Sequence, residues 1–242
     1  MTCRLADRII CLNEGDRSAA AARGIPMTNA VVIPNGIDPR PFDGVGDRRA
    51  ELGIGLTAPV AGMIARLVPQ KDPLMFVQMA RIVADRLPSA RFLIVGDGPL
   101  RAHMIEAMNS LGLQSQVQLL GFRTDIPELL ASMDVVVLTS RWEGMPLVAL
   151  EAMAAGKPVV ATFTSGIAEA VVHRETGWIA GPGDLHGVAD AVFRLLNDPE
   201  RRAEMGYRGR TRAWQYFTVE GMVDATVRVY RAAAEYAQAK VS

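Results

Sequence analysis

The sequence predicts an α/β fold with a doubly wound parallel sheet. Three observations carry that expectation. The runs 59–65 (PVAGMIA), 90–95 (ARFLIV), 134–139 (DVVVLT) and 158–161 (PVVA) are almost continuously apolar, as strands covered on both faces must be. Helix-start signals alternate with these runs, an order that winds helices over both faces of a parallel sheet. The chain has 242 residues and is 50% hydrophobic, which allows one large or two small domains with a buried core.

Taken in order, residues 7–12 (DRIICL) read as a strand, 13–23 as a helix ending at Gly24, and 30–33 (AVVI) as another strand. Two strands and one helix cannot bury a core of their own. Residues 1–34 must therefore add to a sheet elsewhere or pack on the rest of the chain. Their unpaired edges favour association with a missing partner half or a second copy. Residues 34–46 (PNGIDPRPFDGVG) are rich in Pro, Gly and Asp, which break helices and strands. A linker is placed at 35–46, a main domain at 47–217 and a last helix at 218–242. Within the main domain, Asp72-Pro73 caps a helix to about Arg86, with Leu74, Val77, Val83 and Leu87 among its apolar positions. Pro99 starts another after Gly96-Asp97-Gly98. Residues 116–120 form a strand, 125–132 a short helix and 177–180 a final strand. Asp184, Asp198-Pro199 and Thr218 each start one of the closing helices.

The stretch 140–162 (SRWEGMPLVALEAMAAGKPVVAT) organises the chemistry. Pro146 suits a first helical position, and Gly156 closes that helix near Ala155. The helix start leaves the N–H groups of Leu147 and Val148 unpaired at the positive end of the dipole, a seat for phosphate. Glu143 in the loop and Glu151 in the helix flank that seat as acceptors for sugar hydroxyls. Arg66 and Lys71 lie in the loop after the first strand of the main domain, where two cations can converge on a diphosphate. In doubly wound sheets ligands sit beyond the carboxyl ends of the strands. These stretches fall there or close to it.

Composition narrows the partners. The net charge is +0, and nucleic-acid binders carry a basic excess. Cys3 and Cys11 have no metal-ligand spacing and read as reduced, buried thiols of a cytoplasmic protein. Arg4, Asp7 and Arg8 interrupt the only apolar start, so no signal peptide is expected. No run approaches the roughly 20 apolar residues of a membrane span. His103, His173 and His186 read as surface residues. Arg201, Arg202, Arg208, Arg210 and Arg212 read as a solvated helical face, with attraction to an anionic membrane as the lesser reading.

Five segments together resemble one family. They are IPNGID (33–38), ARLVPQKDP (65–73), FLIVGDGPLR (92–101), residues 119–162 and GWIAGPGDLHGVADAV (177–192). The chain resembles the C-terminal, nucleotide-sugar-binding half of a retaining GT-B-fold glycosyltransferase with the E-x7-E motif (glycosyl transferases group 1, family 4). The resemblance implies a Rossmann-like donor domain, with residues 1–34 as a remnant of the acceptor domain. It implies that Arg66 and Lys71 hold the donor diphosphate, that Glu143 faces the donor sugar and that Glu151 binds the ribose. The backbone of Gly144, Met145, Pro146, Leu147 and Val148 would meet phosphate and sugar oxygens. Phe122 and Arg123 would contact the base, and Gly62 would let the donor approach the first strand. Asn35 and Gly36 would belong to a hinge, and the last helix would cross back to the first domain. Glu143, Arg66 and Lys71 are the expected catalytic residues. No Asp-x-Asp motif is present, so no metal is expected. A UDP-sugar is the favoured donor and GDP-mannose the next.

The family's Gly-rich acceptor-side loop and its His near the sugar have no counterpart here. A catalytically incomplete binding module, or one part of a split enzyme, is therefore the alternative. A GT-B epimerase or phosphorylase lacks its own motif in this chain. A nicotinamide-binding domain is weaker still, because Arg101 stands where the third fingerprint glycine belongs.

Overall fold

The computed structural model describes residues 6–241, and the side chains of residues 6–235. Cys3 lies outside the described residues. The main domain is a parallel sheet of six strands: β3 (Val60–Ile64), β4 (Arg91–Val95), β5 (Val117–Gly121), β6 (Val135–Leu138), β7 (Val159–Thr162) and β8 (Gly177–Ala180). Their order is β5-β4-β3-β6-β7-β8, and every neighbouring pair is parallel. The chain starts in the middle, moves outward to β5, then returns to the other side of β3. Connections leave β3 and β6 in opposite directions, so a crevice opens between their carboxyl ends.

Side chains alternate between the two faces of the sheet and feed two cores. Ala61, Met63, Phe92, Ile94, Val135, Val137 and Val160 face one layer. That layer is made by α2 (Pro73–Arg86), α3 (Arg101–Ser110) and α7 (Leu185–Asn197). Val60, Leu93, Val95, Val136, Leu138, Val159 and Ala161 face the other. There lie α4 (Ile126–Ser132), α5 (Leu147–Ala154), α6 (Ser165–Ala170) and most of α8 (Pro199–Tyr216). Both faces are covered by helices, which is why the strands carry no polar alternation.

Several helix starts differ from expectation. Asp72 precedes α2 but does not cap it with its side chain; its backbone is left-handed (φ 44°) and its carboxylate accepts from Arg141 Nε at 2.9 Å. The helix after Gly96-Asp97-Gly98 begins at Arg101, because Leu100 N turns back to Leu67 O at 3.0 Å. Pro146 is the N-cap of α5, not its first residue. α6 was not anticipated; Thr164 Oγ1 caps it by accepting from Ile167 N at 3.4 Å. Asp184 and Asp198 do cap α7 and α8, accepting from Gly187 N and Arg201 N.

The first residues form β1 (Ile9–Cys11), α1 (Glu14–Ala22) and β2 (Ala30–Val32). The two strands pair with each other in parallel and with neither edge of the main sheet. Cys11 is half-buried on β1, not buried. Residues 35–46, expected as a linker, are tied to the main domain at Asn35 and to the start of the last helix at Ile37. Asn35 Nδ2 donates to Met145 O at 2.9 Å, and Ile37 bridges Thr218 just before α9 (Val219–Val241). A Cβ on Gly36 would fall 2.2 Å from Thr218 O, so only glycine lets the two segments touch.

Of the five arginines of α8, Arg201 and Arg208 are exposed as expected, while Arg202, Arg210 and Arg212 are not a solvated face. Arg202 donates to Leu195 O and Leu196 O, Arg210 to Ala154 O and Asp43, and Arg212 to Ala170 O and Glu169 O. Arg208 pairs with Glu204. Arg202, Arg210 and Arg212 bind α8 to its neighbours; the exposed Arg208 pairs only within α8, and Arg201 has no side-chain partner among the described residues.

Candidate functional site

Two loops meet at the crevice between β3 and β6. One runs from Ala65 to Asp72 and holds a 3-10 turn at Pro69–Lys71; the other runs from Thr139 to Pro146. They are zipped together. Thr139 Oγ1 donates to Lys71 O and Asp72 O, both at 2.9 Å. Arg141 N donates to Gln70 O at 2.8 Å, and Gln70 Nε2 to Trp142 O at 3.0 Å. At the centre, Lys71 Nζ pairs with Glu143 Oε1, which also accepts from Ser140 Oγ at 2.8 Å. The Glu143 side chain is 9% exposed and the Lys71 side chain 20% exposed, so water screens the pair weakly.

This arrangement revises one expectation. Lys71 and Arg66 do not stand as two open cations: Lys71 is committed to Glu143. Arg66 is exposed and its guanidinium has no partner among the described residues. Its backbone is held by neighbours on both sides, since Ala65 N donates to Val95 O and Leu67 N to Asp97 O, each at 2.9 Å. The Gly96-Asp97-Gly98 turn exists for that contact. A Cβ on Gly96 would lie 1.9 Å from Ala65 O, and one on Gly98 2.6 Å from Leu67 O. These glycines let two loops cross, which removes the nicotinamide-binding reading of the same residues.

The start of α5 faces the crevice without a side-chain cap. The N–H groups of Leu147 and Val148 have no acceptor among the described residues. Glu151 follows one turn later. It is half-buried with its carboxylate unpaired among the described residues, and burial raises its pKa. Gly144 and Met145 are fixed through their carbonyls: Asn13 Nδ2 donates to Gly144 O at 2.7 Å, and Asn35 to Met145 O. α6 lies against the same loop, since a Cβ on Gly166 would fall 1.8 Å from Gly144 O.

Three expected residues stand apart from the Lys71–Glu143 pair. Gly62 sits in mid-strand, where a Cβ would fall 2.2 Å from Met133 Sδ; it makes room for a core side chain from beside α4, not for a ligand. Phe122 is 79% exposed at the end of β5, and β4 separates that strand from β3. Arg123 is held by both oxygens of Asp125, at 2.7 and 2.5 Å, and the hydrogen bonds of that fork keep the Asp125 carboxyl below the usual range.

Sequence reading missed Asn13, Asp16, Ser165, Trp142 and Phe163. Trp142 and Phe163 are exposed aromatic rings on a 460 Å³ cavity that also takes in Asp16, Glu143 and Ser165. Ser165 Oγ donates to Asp16 Oδ1 at 2.7 Å. A tryptophan in a polar loop was the one available signal. All three histidines, His103, His173 and His186, are exposed as expected; His173 Nδ1 also accepts from Ile179 N at 3.0 Å. No group of three or more His, Cys, Asp or Glu side chains suited to a metal occurs among the described residues. No helix among them is long and apolar enough to cross a membrane.

The family profile described as "Glycosyl transferases group 1" matches residues 46–212. The chain belongs to that family. Among its relatives, it is 34% identical over 199 residues to the UDP-Gal:alpha-D-GlcNAc-diphosphoundecaprenol alpha-1,3-galactosyltransferase of Escherichia coli, covering 79% of this chain and 51% of that protein. It is 32% identical over 229 residues to the GDP-mannose-dependent alpha-(1-6)-phosphatidylinositol monomannoside mannosyltransferase of Mycolicibacterium smegmatis, covering 88% of this chain and 60% of that one. The chain thus spans 51% and 60% of the length of these two relatives. The fold matches Anabaena HepE, solved with UDP and glucose, with TM-score 0.89 and 27% identity over 96% of this chain and 65% of that one. It also matches the C-terminal domain of a glycosyl transferase group 1 protein of Francisella tularensis, with TM-score 0.69 and 25% identity, covering 76% of this chain and 100% of that domain. The parallel-sheet fold is therefore that of the GT-B glycosyltransferases.

Proposed function

We propose that this chain is the nucleotide-sugar-binding half of a retaining glycosyltransferase. The observation that carries this reading is the crevice at β3 and β6. There an arginine and a half-buried carboxylate, neither paired among the described residues, and a helix start without a side-chain cap stand on the loops and helix that flank an ion pair. Arg66 and the N–H groups of Leu147 and Val148 take the donor diphosphate. As the glycosidic bond breaks, charge develops on the leaving diphosphate, and donors already in position stabilise it without reorganisation. The diphosphate gives Lys71 a second anion to share. Glu143 then turns an oxygen toward the donor sugar while Ser140 keeps its carboxylate oriented. Glu151 accepts from the ribose hydroxyls, for which its unpaired oxygens are suited. The cations do the work of a metal, so none is required.

A UDP-sugar is the favoured donor and GDP-mannose the next. HepE was solved with UDP, and the E. coli and mycobacterial relatives name a UDP-sugar and GDP-mannose respectively. Both of those relatives also name lipid-borne acceptors. A peripheral position at the inner face of a membrane, with a lipid-linked or polysaccharide acceptor, fits those names. Residues 1–34 are read as the end of the acceptor domain, which a preceding half or a partner chain completes. The second reading is a module that binds donor without turnover.

Calorimetric titration with UDP, GDP and ADP, repeated on Glu151→Ala and Arg66→Ala, tests the site. Saturable binding of one nucleotide, weakened by both substitutions, is expected. Absence of binding by the folded chain would overturn the donor site. Adding the complementary N-terminal half and assaying transfer separates enzyme from binding module.

A further inference from the structure

A second cationic groove lies at the opposite edge of the sheet, where β8 begins and α7 gives way to α8. It is lined by Arg174, Arg194 and Arg201 with Trp178, Phe193 and Asp198, and has a volume of 580 Å³. That is the size of a small-ligand site. The crevice between β3 and β6 opens at the carboxyl ends of the strands, and this groove at their amino ends. The two share no residue.

The charges in the groove are unbalanced. Asp198 spends one oxygen capping α8, accepting from Arg201 N at 2.9 Å. Asp190 holds Arg194 and Arg86, each at 2.9 Å. No carboxylate pairs with the guanidinium of Arg174 or Arg201 among the described residues. Arg201 stands in the first turn of an 18-residue helix, where the dipole adds partial positive charge.

Arg174 carries the argument furthest. Its φ is 67°, left-handed backbone that favours glycine and is costly for a long side chain. Glycine there would relieve the strain, yet an arginine occupies the position. Its guanidinium lies 5.0 Å from the centroid of the Trp178 ring. A guanidinium stacked on an aromatic face keeps its in-plane N–H groups free and pre-oriented for oxyanions. The turn from Val172 to Gly177 holds this backbone in place, and strained positions of this kind cluster at ligand-binding sites.

We propose that this groove binds a phosphate-bearing anion, with Arg174 and Arg201 as its ligands and Arg194 at its rim. Two unpaired guanidinium groups match a phosphate ester or diphosphate better than a single negative charge, because each can offer a fork to a pair of oxygens. The same chemistry is presented by a soluble phosphate and by a phospholipid headgroup.

The test reads the groove directly through the indole N–H resonance of Trp178, assigned with Trp178→Phe. Pyrophosphate is titrated into the intact chain and into Arg66→Ala, which keeps the two sites apart. A saturable shift of the Trp178 signal is expected in both. Arg174→Gly and Arg201→Gln should each weaken it by about tenfold, the usual effect of one charge-assisted contact. Arg174→Gly also relieves the strained backbone, so its melting temperature should equal or exceed that of the parent, and lost binding cannot be blamed on misfolding. Flotation with phosphatidylglycerol and phosphatidylcholine vesicles distinguishes the sources. Arg174-dependent capture by the anionic vesicles identifies the phosphate of a lipid; a pyrophosphate response without capture identifies a soluble one. No saturable shift and no Arg174-dependent capture, or responses unchanged in both variants, would overturn the proposal.

Discussion

Lys71 and Glu143 form a largely buried ion pair that locks the loop after β3 to the loop after β6. Removing one partner strands the other charge away from water, so Lys71→Met should destabilise the chain by about 2–4 kcal/mol. Replacing both, as Lys71→Met with Glu143→Gln, should recover most of that loss. Urea unfolding of the two single variants and the double variant measures the coupling. A double variant no more stable than Lys71→Met would mean that the pair is incidental to the lock.

Arg66 behaves differently because nothing in the described chain depends on its side chain. Arg66→Ala should leave stability within about 0.5 kcal/mol of the parent. It should weaken binding of the favoured nucleoside diphosphate by about tenfold, the worth of one charge-assisted contact. Paired melting and calorimetric measurements check both halves of the statement.

Glu151 makes stability depend on pH in an unusual direction. Burial raises its folded pKa above the unfolded value, so the folded state prefers the proton. The folded form then bears a desolvation cost once the carboxyl ionises. That cost is absent below the unfolded pKa and complete above the raised folded one. Glu151→Gln should therefore stabilise the chain at neutral pH, with the gain disappearing as the pH falls below the ordinary glutamate range. Melting curves across that interval decide it. A gain that persists in acid would point to packing instead.

Asn13 is fully buried, at 0% exposure, and its amide meets three partners: Gly144 O, Asp16 N and Asp16 Oδ2. Asn13→Ala orphans the Gly144 carbonyl and should cost about 1–3 kcal/mol. Hydrogen exchange should speed up at residues 143–146 first, since that loop loses its tether to the N-terminal unit. Uniform acceleration across the sheet would instead indicate global destabilisation.

The strands were readable because each is buried on both faces and therefore nearly all apolar. Helix caps were readable where a side chain performs the capping, as at Asp184 and Asp198, and misread where the residue serves another element, as at Asp72. Arg66, Glu143 and Glu151 could be placed near one crevice because strand ends and helix starts have fixed relations in a doubly wound sheet. What stayed hidden depends on pairings across long stretches of chain. Lys71 looks like a free cation until Glu143, 72 residues away in sequence, is brought onto it. Gly62 looks like a ligand-side glycine until Met133 folds over it. Arg202, Arg210 and Arg212 of α8 look solvated until the carbonyls that end α5, α6 and α7 come within their reach.

The bridge between Ile37 and Thr218 has a consequence for how the molecule can be cut and rejoined. Ile37 N donates to Phe217 O at 2.9 Å, and Val219 N to Ile37 O at 2.8 Å. The stretch 38–217 thus leaves and re-enters the structure at one point, as an insert does in its host. Its two ends are close enough for a few residues to join them. Circular permutants opened in an exposed turn of this stretch, and the excised stretch closed into a ring, should keep the six-stranded sheet intact. The covalent path to the β1–α1–β2 unit and α9 would then be cut at one doorway, leaving, as hydrogen bonds among the described residues, only those of Asn13, Asp16 and Asn35 to hold that unit against the loop before α5 and the start of α6.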